Sequence, residues 1–240
     1  MRALVIQHAS CETPGVYERV LEEQGWSCAR VQVDEGEALP GRCGFDALIV
    51  MGGPMGAHEE AAHRWLREEK ALIAEAAISG VPVWGVCLGA QLLAASLGAR
   101  IFTGVVPEVG VCPVTLTPAA AADPVFAGLP PTLPTLQWHS EGFELPADAV
   151  LLARSTRYPN QAFRVGKVAY GLQFHLEASA EMASRWLALP AYSEALERAR
   201  GPEGALVLAD ELTRAAASIL AHGRAAFARW LALAEACSPR

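Results

Sequence analysis

GVCLGAQ, residues 85–91, sets the thiol of Cys87 between Gly85 and Gly89 inside the most apolar stretch of the chain. From Ala76 to Ala99 no Asp, Glu, Lys or Arg occurs for 24 residues, a run long enough to cross a bilayer if it were one helix. Gly80, Pro82, Gly85 and Gly89 argue against a continuous helix. The stretch reads instead as a turn at Ser79-Gly80, a buried strand VPVWGV (81–86), a sharp bend at Cys87, and a helix LGAQLLAASLG (88–98) closed by a glycine.

Toward the N-terminus the same alternation repeats. ALVIQH (3–8) reads as a strand, PGVYERVLEEQG (14–25) as a helix with Pro in its first turn and Gly at its end, and SCARVQVD (27–34) as a strand. After a turn-rich PGRCG (40–44) come a strand, FDALIVMGG (45–53), and a helix, AAHRWLREEKALIAEAAISG (61–80), that leads into the Cys87 strand. This order implies an α/β fold: a flavodoxin-like, mostly parallel sheet with helices on both faces and ligands at the carboxyl ends of the strands.

Toward the C-terminus, residues 107–146 hold eight of the sixteen prolines, which excludes long helices and implies short strands with ordered loops. VLLARS (150–155), QAFRVG (161–166) and KVAYGLQFHLE (167–177) read as strands, the last two joined by a Gly-Lys turn. From about 179 to 237 the chain is expected to be helical, with interruptions at Pro190, at GPEG (201–204) and at Gly223. No repeat or low-complexity linker divides it, so one domain over 1–240 is expected.

Composition narrows the function. Hydrophobic residues make up 52% of the chain, ample for a core, and 19 Lys+Arg against 26 Asp+Glu give a net charge of −7 with no basic run. Nucleic acid and anionic membrane are therefore not expected partners. The six cysteines, at 11, 28, 43, 87, 112 and 237, never fall two or three apart, so neither a CxxC zinc pair nor a thioredoxin-like motif is present, and no metal or other cofactor is expected. MRALVIQHAS reads as a strand rather than a signal peptide, and a cytoplasmic location is the default expectation.

Gly85-Val86-Cys87-Leu88-Gly89, between a strand and a helix, has the context of a nucleophile elbow, where the glycines permit a sharp turn and the nucleophile stands above the sheet. The helix dipole and any nearby imidazolium would favour the thiolate, and the Leu88 N–H would point to a developing oxyanion. On the glycines alone, a small buried core cysteine fits equally well. A base and its orienting partner are offered by KVAYGLQFHLE: alternation along a strand puts Ala169, Gly171, Gln173, His175 and Glu177 on one face and Val168, Tyr170, Leu172, Phe174 and Leu176 on the other. His175 and Glu177 are thus neighbours on the small, polar face; the alternative is a solvated edge strand. MGGPMG (51–56), at the end of another strand, can bring a backbone N–H close to a ligand and is a candidate second oxyanion donor, although Gly-Gly-Pro alone is ordinary loop vocabulary.

Four segments, MGGPMG, GVCLGAQLLA, QWHSEGFELP and AYGLQFHLEAS, together resemble the class I, or triad, glutamine amidotransferases, particularly the amidotransferase domain of GMP synthetase and its stand-alone relatives. The resemblance implies Cys87 as nucleophile, His175 as acid/base, Glu177 as its orienting partner, Gly53 and Leu88 as oxyanion donors, and Gln91 at the α-amino-acid end of glutamine. It also implies substrate contacts for Gly52 and for His139 or Ser140, although a Trp-flanked histidine could equally be a packing residue. Glu108, His8, His58 and His63 are expected to be structural or solvated, and Trp186, Phe227, Trp230 and Leu231 to cover the core.

The sequence holds no GxxxxGK[ST] or GxGxxG loop, so the ammonia acceptor is undefined. The chain is expected either to serve a synthase subunit or to act as a free-standing hydrolase, and its C-terminal helices are a candidate surface for a partner or a homodimer. Two other readings remain: a γ-glutamyl hydrolase or peptidase using the same Cys-His-Glu triad, and a redox or stress protein of the DJ-1 type, against which the His175-x-Glu177 pair argues.

Overall fold

Strand β1 (Arg2–Gln7) has all but its first residue buried and is paired on both edges, in parallel, with β2 (Ser27–Gln32) and β3 (Ala47–Val50). Parallel pairing continues from β3 to β4 (Val83–Val86) and from β4 to β9 (Ala169–Leu172). The order β2-β1-β3-β4-β9 is the doubly wound arrangement expected of the sequence. β3 and β4 are buried at every residue because both faces are covered. Val5, Ile49, Trp84 and Tyr170 face α1 (Val16–Glu23) and α7 (Gly204–Cys237), while Ile6, Val50 and Val83 face α2 (Trp65–Ile78) and α3 (Leu88–Ser96). The computed structural model describes residues 1–41 and 44–237; Arg42 and Cys43, in the turn read at PGRCG, and residues 238–240 lie outside them.

Beyond β9 the sheet turns antiparallel through β8 (Ala162–Val165), β7 (Val150–Arg154), β5 (Ile101–Leu116) and β6 (Thr132–Phe143). The sheet is therefore mixed, its parallel half bearing Cys87. The short strands expected from the prolines are corrected by β5 and β6, which run for 16 and 12 residues. Pro113 stands opposite Pro134, a register possible only where neither residue must donate across the ladder. Leu136, at the same parity as Pro134, accordingly turns its N–H away from β5, to the His175 carbonyl 3.2 Å away. Pro107 falls where the β5–β6 register shifts, between Thr103 and Glu108. A short helix, α4 (Pro118–Ala121), lies between β5 and β6.

The C-terminal segment is helical as α5 (Ala180–Trp186), α6 (Pro190–Arg200) and α7. Gly223 does not interrupt α7, which is continuous over 34 residues. The glycine is instead a point of close approach: a Cβ there would stand 2.2 Å from the Leu176 carbonyl oxygen. Phe227, Trp230 and Leu231 are fully buried in the core shared with Tyr17 and Trp84. Among the described residues, no helix is long and apolar enough to cross a membrane; the uncharged run 76–99 is divided among α2, β4 and α3.

Candidate active site

At the carboxyl end of β4 the backbone turns on Cys87 itself, at φ 51° and ψ −107°. Neither Gly85 nor Gly89 has positive φ, so the expectation that the glycines supply the sharp turn is corrected. Their missing side chains permit packing: a Cβ on Gly85 would lie 2.6 Å from the Gly89 carbonyl oxygen, and one on Gly89 would lie 2.1 Å from that of Val50. A non-glycine residue in such a conformation costs about 1–3 kcal/mol and persists only where its surroundings hold it. Here the Cys87 N–H donates to the Leu172 carbonyl at 2.7 Å, and the Cys87 carbonyl accepts from Gln91 at 3.1 Å in the first turn of α3. The thiol-bearing residue is 6% exposed and lines a cleft of about 500 Å³ that also takes in Gly53, Leu88, Gln91, Ser140 and Tyr192. The Leu88 N–H is the first of α3, one of the donors a helix leaves without an internal partner.

His175 reaches the site by a route the sequence did not indicate. The strand read over 167–177 ends at Leu172, because its neighbour β4 ends at Val86 and turns into the elbow. The chain then crosses to β6, where the His175 N–H donates to the Leu136 carbonyl at 2.8 Å. Alternation survives the crossing: Phe174 and Leu176 enter the core, while Gln173, His175 and Glu177 share the other side, all buried. His175 Nδ1 lies 2.6 Å from Glu177 Oε1, and Glu177 Oε2 accepts the Leu176 N–H at 3.0 Å. Nε2 is buried without a hydrogen-bond partner. Burial opposes protonation of the ring, but the Glu177 carboxylate and the adjacent Cys87 sulfur hold its pKa well above the usual histidine value. Trp186 packs edge-on against the ring at 4.8 Å, so this core residue also walls the site. Val16 at the start of α1 donates to the Glu177 carbonyl at 3.2 Å, and Gly223 admits α7 against Leu176, so two helices clamp the segment.

The 51–56 loop packs against both the elbow and His175. A Cβ on Gly53 would meet the Leu88 side chain at 3.0 Å, and one on Gly52 would meet His175 Cε1 at 3.1 Å and Glu12 Oε2 at 2.4 Å. Gly53 lines the cleft; Gly52 is buried behind it with its carbonyl oxygen 3.0 Å from His8 Nδ1. His8 is structural rather than solvated, being fully enclosed, with Nε2 2.9 Å from Glu69 Oε1 and its ring stacked on Trp65. His58 is exposed, and His63 is partly exposed 3.8 Å from Glu59.

Gln91 is 4% exposed, and its Nε2 donates to Gln173 Oε1 at 3.1 Å; Gln173 Nε2 lies 3.7 Å from Cys87 Sγ. His139 borders the cleft, but its Nδ1 is 2.7 Å from the Glu141 carbonyl and its ring packs on Tyr158, whereas Ser140 is exposed at the cleft wall. Glu108 is buried in a network with Ser155 and Gln161. Sequence reasoning missed Glu12 and Tyr192. Glu12 is 2% exposed beside His175, with Oε2 unpartnered and Oε1 accepting from the Tyr192 hydroxyl of α6. Burial raises the Glu12 pKa above the ordinary carboxylate value, against the lowering influence of His175 and Tyr192. Its position just after β1 was the available signal, since ligands collect at strand carboxyl ends. Among the described residues, no group of His, Cys, Asp and Glu side chains could hold a metal ion.

The family described as glutamine amidotransferase class-I matches residues 16–188. The glutamine amidotransferase-like protein YfeJ of Salmonella typhimurium is 35% identical over 185 residues, covering 75% of this chain and 77% of its own. The glutamine-hydrolysing GMP synthase of Vibrio atlanticus is 32% identical over 182 residues, covering 74% of this chain but 33% of the synthase, so the chain spans about a third of that relative. Among solved structures, a glutamine amidotransferase from Thermotoga maritima superposes with a TM-score of 0.85 at 32% identity, covering 96% of this chain and 98% of the other. One from Methylobacillus flagellatus gives 0.85 at 28% identity, covering 97% and 94%.

Proposed function

The chain belongs to the class I glutamine amidotransferase family, and from that premise we propose that it hydrolyses the side-chain amide of glutamine at Cys87. The observation that carries the proposal is a strained elbow thiol lining the cleft with a buried histidine adjacent to its sulfur, Nδ1 held by Glu177 and Nε2 without a hydrogen-bond partner. The Cys87 thiolate attacks the amide carbon, forming a carbon–sulfur bond and moving the π electrons onto oxygen. The Gly53 and Leu88 N–H groups receive that oxyanion. As it collapses the carbon–nitrogen bond breaks, and the His175 imidazolium gives its proton to the nitrogen, releasing ammonia. Water then attacks the γ-glutamyl thioester while His175 accepts its proton, and collapse breaks the carbon–sulfur bond, releasing glutamate and restoring the Cys87 thiolate and the His175 imidazolium. Gln91 and Ser140, both lining the cleft, are assigned to the amino-acid end of the substrate.

A γ-glutamyl compound with a larger amine is the second reading, favoured by a cleft of about 500 Å³ whose wall includes Tyr192 and Ala195 of α6. Both readings are tested by measuring ammonia and glutamate released from glutamine beside cleavage of γ-glutamyl amides. Labelling with a glutamine-like chloroketone and mass mapping of the modified residue identifies the nucleophile. Ammonia release with the label on Cys87 is expected. Peptide cleavage without glutamine turnover would select the second reading, and a label elsewhere would overturn both.

A further inference from the structure

The His8–Glu69 pair takes no part in the chemistry above, yet it is more enclosed than most ion pairs. Both side chains are fully buried, and separating such a pair from water carries a desolvation penalty that a packed apolar pair would not incur. Each His8 nitrogen faces an acceptor, Nδ1 the Gly52 carbonyl at 3.0 Å and Nε2 the Glu69 carboxylate at 2.9 Å. With Glu69 ionised, only the doubly protonated ring satisfies both contacts. Burial opposes that charge, but Glu69 and the Gly52 carbonyl hold the ring's pKa above the usual histidine value. Stacking on Trp65, with ring centroids 5.3 Å apart, supports a cation in the same place.

The acceptor identifies the role. The Gly52 carbonyl and the Gly53 N–H belong to one peptide group, which is planar and trans, so they point in opposite directions. A glycine pair has little steric preference for one orientation of that plane over the other. The carbonyl is directed to the buried His8, so the N–H of the same peptide is directed away from His8, and Gly53 itself borders the Cys87 cleft. We infer that His8, seated on Glu69 of α2, is a positioning residue that fixes the Gly52–Gly53 peptide with its N–H toward the reacting carbonyl oxygen. Polarisation of the carbonyl by a charged donor strengthens the N–H at the other end of the same group. The inference rests on the proposed assignment of Gly53 as an oxyanion donor.

The test separates oxyanion stabilisation from the thiol's own reactivity, using His8→Ala and Glu69→Gln in the full chain. Alkylation of Cys87 by iodoacetamide forms no oxyanion, whereas amide hydrolysis does. For His8→Ala, kcat for glutamine should fall about 10- to 100-fold, less than the about 100- to 1000-fold loss of deleting a donor outright, with KM and the alkylation rate within about twofold of wild type. Glu69→Gln keeps a neutral ring on the carbonyl and should give a smaller loss of kcat in the same pattern. An unchanged kcat, or hydrolysis and alkylation falling together, would overturn the inference; if His8→Ala does not fold, the same outcomes are read from Glu69→Gln. Should wild type cleave no γ-glutamyl amide, the substrate reading fails by itself, and acylation of Cys87 by p-nitrophenyl acetate, which also forms an oxyanion, replaces hydrolysis in the comparison.

Discussion

Two buried histidine–glutamate pairs approach Gly52 from different places in the chain, His8–Glu69 from the residue after β1 and from α2, and His175–Glu177 from the segment after β9. Both rings are protonated more readily than a free histidine, because a carboxylate outweighs the penalty of burial. They differ in one nitrogen. At His8 both are occupied, so the ring can hold a carbonyl but has no face for a proton in transit. At His175 one is occupied and the other is bare beside a thiol. A raised pKa by itself therefore does not separate these two rings; the count of satisfied nitrogens does.

That contrast can be broken by kinetics. Cys87→Ala should abolish amide hydrolysis and chloroketone labelling with the far-ultraviolet circular dichroism unchanged; residual wild-type turnover would remove the thiol from the mechanism. His175→Ala should lower kcat about 100- to 10,000-fold, as loss of general acid–base catalysis does, and slow alkylation as well. Equal effects of His8→Ala and His175→Ala on alkylation would erase the distinction between the two pairs.

Glu177→Gln should cost less activity than His175→Ala, since the crossing to β6 and the clamp of α1 and α7 also orient the ring. It sharpens the comparison through pH. A histidine whose folded pKa is raised contributes stability that is fully present below its unfolded value, about 6.5, and lost as pH rises through the folded one. The melting-temperature difference between wild type and Glu177→Gln should therefore be largest below about pH 6.5 and shrink as pH rises. A difference that grows with pH would contradict the charge state assigned to His175.

Smaller effects belong to the supports. Gly223→Ala places a methyl against the Leu176 carbonyl and should destabilise by about 1–3 kcal/mol in denaturant titration, with activity lost in proportion as the His175 segment shifts. Tyr192→Phe leaves buried Glu12 without the hydroxyl it accepts from and should cost about 1 kcal/mol, read from the denaturation midpoint. No change in either would mean that the clamp and α6 are not coupled to the site as their contacts indicate.

Much of the fold was legible because it is local. Alternation of apolar strands with capped helices specified the doubly wound half, and Gly-x-Cys-x-Gly between a strand and a helix located the elbow. Period-two alternation even placed Gln173, His175 and Glu177 on one side, although the strand that justified it stops at Leu172. Long strands were hidden by their prolines, because whether Pro113 and Pro134 break a ladder depends on register across two chain segments. Gly223 looked like a helix break for a similar reason, since glycine's cost in a helix is local whereas the carbonyl it accommodates is 47 positions away, at Leu176.

The sequence by itself determined which residues could carry a thiol, an imidazole, a carboxylate and a glycine loop, and that the thiol and the glycine loop would sit at strand ends. Tertiary structure decided the rest: that Cys87 rather than its glycines bears the strained turn, that Glu12 and Tyr192 adjoin the site, and that His8 grips the Gly52 carbonyl. The reason is physical. Propensity and alternation act over a few residues, whereas the protonation and partners of a buried polar group depend on which distant segments surround it in space.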